Sequence, residues 1–92
     1  MNTKPGGGAE VADAGAAACR ELSAALTAAF RELSAALTAA CRAFAQAKDR
    51  PGDWTPVALA WNFKEAVDAA CMSFDGAYSD AYRIFRVALN AL

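Results

Sequence analysis

The sequence predicts an all-α protein: one long antiparallel two-helix hairpin with an eleven-residue (hendecad) period. Three observations carry this reading. The decapeptide RELSAALTAA stands at residues 20–29 and again at 31–40. Apolar residues keep the same eleven-residue period in both halves of the chain. A single stretch rich in Pro, Gly and Asp, KDRPGDWTP at 48–56, divides those halves.

The leading MNTKPGGG has Pro and Gly in place of a helical pattern and reads as a flexible arm over residues 1–8. The first helix is expected from about 9 to about 48. Eleven residues complete three turns at about 3.67 residues per turn, so positions eleven apart nearly superimpose on a helical wheel. Cys19, Phe30 and Cys41 share one wheel position, Leu22, Leu33 and Phe44 a second, and Leu26 and Leu37 a third. Together they form one continuous apolar stripe. Arg20, Arg31 and Arg42 make a charged row, and Glu10, Glu21 and Glu32 another.

The connection is expected over residues 49–55. Thr55 followed by Pro56 is a sound N-cap with Pro at the first helical position. The second helix, about 56–91, repeats the period with other residues: Phe63, Phe74 and Phe85; Val67, Tyr78 and Leu89; Cys71 and Tyr82. Gly76 falls inside this pattern at a cost of about 1 kcal/mol against Ala, and marks the one point where the helix could break.

Folding at the Pro/Gly stretch pairs residues whose numbers sum to about 104. Leu22, Leu26, Phe30, Leu33 and Leu37 then form an intrachain seam with Val67, Cys71, Phe74, Tyr78, Tyr82 and Phe85. Residues 9–92 make a single domain on this reading. Cys41 and Cys71 are expected to be buried thiols. The other sides of the helices carry Ala24, Ala28, Ala35 and Ala39 on the first and Trp61, Met72, Ile84 and Val87 on the second. Rows of Ala admit another helix closely, and a two-helix rod has a small core for its length. This second set is therefore the expected interface with further copies, completing a helical bundle or filament.

Composition narrows the function. The 92 residues carry a net charge of −1, leaving no basic surplus to neutralise phosphates, so nucleic acid is not an expected partner. No apolar run reaches the roughly 18 residues of a membrane span, and no apolar signal core precedes Cys19. The expected location is the cytoplasm, or outside the cell by a route independent of a signal peptide. There is no histidine, which removes His-based acid–base catalysis and His metal ligation. Three cysteines cannot close into pairs, have no C-x-x-C spacing, and place Cys19 and Cys41 about 33 Å apart along one helix. P-loop, nucleophile-elbow and EF-hand patterns are missing. No catalytic residue, metal ligand or cofactor site is expected.

At the connection, Arg50-Pro51-Gly52-Asp53-Trp54-Thr55-Pro56-Val57-Ala58-Leu59-Ala60 between two helices resembles needle subunits of type III secretion systems. The resemblance covers about residues 45–92 and lies in chain size, the proline-flanked loop and a second helix running almost to the C-terminus. It implies a subunit that stacks into a helical tube and leaves the cell without a cleaved signal peptide. The prolines here are separated by four residues, the last residues are unusually apolar, and the cysteines depart from that pattern.

Three roles follow in order. The first is a non-enzymatic self-assembling structural subunit of a homo-oligomer or filament. The second is a small adaptor or chaperone that receives a partner helix. The third, a lipid- or granule-surface protein, ranks last, because it needs a basic polar face that this chain lacks.

Overall fold

Helix α1 runs from Pro5 to Asp49 and helix α2 from Pro56 to Asn90 in a computed structural model. It describes residues 5–50, 52 and 55–92, with side chains from Gly8 onward. Residues 1–4 of the expected arm, and Pro51, Asp53 and Trp54 of the expected connection, lie outside the described residues. The two helices pack on each other as an antiparallel hairpin, with no strand among the described residues.

The expected boundaries hold to within one residue except at the N-terminus, where α1 begins four residues early. Pro5 is tolerated there because the first helical N–H groups have no intrahelical acceptor, and its fixed φ already suits a helix. At the start of α2 the Thr55 hydroxyl accepts a hydrogen bond from the Ala58 N–H at 3.1 Å, as its place before Pro56 predicts. Helix α2 passes through Gly76 without a break. Packing along the seam outweighs the modest propensity cost of one glycine.

α1 spans 45 residues, about 68 Å at 1.5 Å per residue, while the Cα cross-section is only 16 by 9 Å. The molecule is a thin plate, two helices wide and one deep. The Phe30 and Phe74 ring centroids lie 4.9 Å apart, and Phe44 and Phe63 lie 5.3 Å apart. These contacts establish the register near a residue-number sum of 104.

The line of closest approach differs from the expected seam. The buried residues are Ala18, Ala29 and Ala40 on α1 and Ala70 and Ala81 on α2, again eleven apart within each helix. Cys19, Phe30 and Cys41, expected in the seam, are each one residue further on and exposed, Phe30 to 54%. Cys71, Tyr78 and Tyr82 are corrected in the same way: Ala70, Ala77 and Ala81 take the inward positions and the larger residues lie exposed. Leu22, Leu26, Leu33, Leu37, Val67, Phe74 and Phe85 are half-buried. The physical reason is size. Helices approach most closely where only a methyl group separates them, so Ala occupies the centre line and bulkier residues straddle it.

Candidate interaction surface

The rotation of the seam decides where the large side chains go. At about 98° per residue, the position after a seam alanine points out of the plane of the hairpin. The helices run in opposite directions, so this turn leads to the same side of the plate in both. One broad face therefore collects the bulk. From α1 it takes Cys19, Leu22, Leu26, Phe30, Leu33, Leu37, Cys41 and Phe44. From α2 it takes Phe63, Val67, Cys71, Phe74, Tyr78, Tyr82, Phe85 and Leu89. None of these sixteen residues is charged.

A run of rings crosses this face. Phe30 meets Phe74 across the seam, Phe74 meets Tyr78 at 5.7 Å between centroids, and Tyr78 meets Tyr82 at 4.9 Å. All three pairs are tilted, the geometry aromatic quadrupoles favour. The neighbouring Tyr82 phenol raises the Tyr78 phenol above its ordinary 10.0, first by hydrogen bonding and then by charge repulsion, with burial a smaller cause.

The opposite face is built from small residues. Ala24, Ala28, Ala35 and Ala39 are exposed there with Ile84 and Val87, and Glu21 and Glu32 add charge. Trp61 and Met72 belong to neither face. They lie on the outer edge of α2, where Trp61 donates its indole N–H to Glu65 and holds the Lys64 ammonium 5.8 Å from its ring. All eight residues expected outside the seam are exposed, but they divide between the alanine face and this edge. The bulky face, which sequence reasoning folded into the seam, carries the exposed aromatic rings Phe30, Tyr78 and Tyr82. Part of the signal was present: Ala stands at 18, 29 and 40 beside the row of Leu22, Leu33 and Phe44, small enough for close approach next to large flanking residues.

The arrangement offers little chemistry. A cleft of about 190 Å³ between Phe44 and Phe63 is lined by Ala, Leu and Phe with Asn62 as its one polar side chain. Larger hollows on the bulky face, about 470 Å³ beside Phe30 and Cys41 and about 360 Å³ beside Tyr78 and Arg86, are shallow and open to solvent. No three His, Cys, Asp or Glu residues converge among the described residues. The ion pairs Lys64–Asp68 and Asp80–Arg83 are local and solvated. No described helix is long and apolar enough to cross a membrane.

Exposure is large for the mass. A monomeric globular protein of this size exposes about 5,100 Å². This chain of 9.6 kDa exposes 6709 Å². Among the described residues no large side chain is fully buried. Comparison of the chain with family models, curated proteins and solved structures finds no match.

Proposed function

We propose that this protein is a non-enzymatic structural subunit that assembles with further copies of itself through the bulky face. The observation that supports this reading is the uncharged surface of sixteen residues described above, set on a hairpin whose buried side chains, among the described residues, are all alanine. Apolar surface of this kind contributes roughly 25 cal/mol per Å² when removed from water, and the hairpin alone leaves seven of the sixteen residues exposed and nine half-buried. A closed bundle uses the bulky face alone. A filament, the form of the secretion needles that residues 45–92 resemble, also needs the alanine face, where Ile84 and Val87 lie.

Light scattering of the purified chain tests this reading. The expected mass is a multiple of the 9.6 kDa chain at micromolar concentration. A single-chain mass throughout that range contradicts self-assembly. In that case the adaptor reading gains, and titration with amphipathic helical peptides tests it.

A further inference from the structure

We infer that two copies meet bulky face to bulky face, antiparallel, about a two-fold axis through the Phe30/Phe74 layer, and that this dimer joins Cys19 of each copy to Cys41 of the other as a disulfide. The inference rests on the self-assembly reading above and specifies its geometry.

The position of the axis comes from the chain itself. α2 runs from 56 to 90, so its midpoint falls next to Phe74, which touches Phe30 across the seam. An axis there overlaps the paired faces over their full length. The area suits a dimer. The 35 residues of α2 extend about 52 Å, and the plate is 16 Å wide, giving a footprint on the order of 800 Å² per copy. A standard stable interface uses about that much on each partner.

An axis crossing the helices at right angles stacks α1 on the α1 of the other copy and α2 on its α2. Residues then pair across the interface when their numbers sum to about 60 on α1 and about 148 on α2. On α2 this sets Cys71 against Tyr78 and Val67 against Tyr82, small against large. On α1 it sets Cys19 against Cys41, because each stands eleven residues from Phe30. Eleven residues return both thiols to the Phe30 wheel position, so all three point straight at the second copy. Phe30 meets its own counterpart at the axis and holds the two helices at the wide end of the 8–10 Å range, which with Cα radii of about 2.3 Å leaves facing Cα atoms roughly 5.4 Å apart. That separation is disulfide geometry. Asp75 comes near its own counterpart at the rim, a solvated like-charge contact of small cost. The other two-fold arrangement, with its axis along the rod, stacks α1 on α2 and sets no thiol opposite a thiol.

The oxidation balances with a small-molecule disulfide such as oxidised glutathione. In the separated chain the thiols are exposed. The Cys19 thiolate attacks one glutathione sulfur, forming a mixed disulfide and releasing a glutathione thiolate. On association, the Cys41 thiolate of the other copy attacks the Cys19 sulfur, forms the inter-chain disulfide and releases the second glutathione. For each disulfide formed, two cysteine thiols are oxidised and one glutathione disulfide is reduced to two glutathione thiols, which take up the two protons the cysteines lose.

Two single-cysteine proteins test this. One keeps Cys19 (C41A, C71A) and the other keeps Cys41 (C19A, C71A), each treated with oxidised glutathione alone and as a mixture. The expected result is a covalent dimer in the mixture, with a Cys19–Cys41 linked peptide by mass spectrometry, at least tenfold above either protein alone. Equal linking in the separate proteins overturns the antiparallel register. A mixture that does not link, although light scattering gives a dimer mass, overturns the geometry and leaves self-assembly standing. A mixture that does not link and has single-chain mass fails the self-assembly reading itself.

Discussion

Ala29 and Phe30 are neighbours in sequence with opposite places in the hairpin, and exchanging their sizes separates the observed seam from the expected one. Ala29 is 4% exposed on the line of closest approach, beside Ala70, Phe74 and Ala77. Ala29→Leu forces three more carbons into that line. Overpacking of this kind costs about 1–3 kcal/mol, and Leu is nearly as good a helix former as Ala, so propensity contributes little. For a domain of this size each kcal/mol moves the midpoint by roughly 4–8 °C, so the expected drop in Tm is about 4–24 °C. Phe30→Ala removes a side chain that is 54% exposed in the hairpin. A fully buried Phe→Ala costs roughly 3–5 kcal/mol, so within one chain about half of that is expected. The assay is a thermal melt by circular dichroism on dilute protein, where association contributes least. An Ala29→Leu protein that melts at or above the wild type, beside a Phe30→Ala protein with the full loss of a buried ring, refutes the alanine seam.

Two further outcomes follow from the described contacts. Thr55→Ala removes the hydroxyl that caps α2 and is expected to destabilise the hairpin by about 0.5–2 kcal/mol in urea unfolding, with Thr55→Ser restoring most of it. The Tyr78 phenol titrates above 10.0 because Tyr82 adjoins it, so the neutral form is favoured in the fold. That contribution is fully present below pH 10 and is lost as pH rises through the higher folded value. Tyrosinate absorbance is expected to show one late-ionising phenol that moves back toward 10.0 in Tyr82→Phe; an unchanged titration contradicts the pairing.

Much of the fold was legible because it depends on period and punctuation. The hendecad spacing marked two helices, Thr55-Pro56 fixed the start of the second, and the sum near 104 placed Phe30 beside Phe74, as the rings confirm. The rotation of each helix was not legible from hydrophobicity alone. A stripe drawn through the largest residues runs through Phe30 and Tyr78, whereas helices this close turn Ala29 and Ala77 inward. Both stripes then share residues such as Leu33 and Phe74, so the error is one residue at alternate turns and a whole face in consequence. Trp61 stood out in sequence as an interface anchor, yet Glu65 and Lys64 already engage its ring and N–H on its own helix. A wheel of apolar residues cannot register such local partners.

Thiol reactivity against protein concentration tests most directly whether another copy covers the bulky face. Cys19, Cys41 and Cys71 are exposed in the single hairpin and all lie on that face. Under reducing conditions, with excess iodoacetamide, all three are expected to alkylate at the rate of an unfolded thiol in dilute protein. That rate should slow at least tenfold as concentration rises through the association range, with the alanine-face variant Ala28→Ser behaving as wild type. Fast alkylation of all three thiols at every concentration would contradict the account.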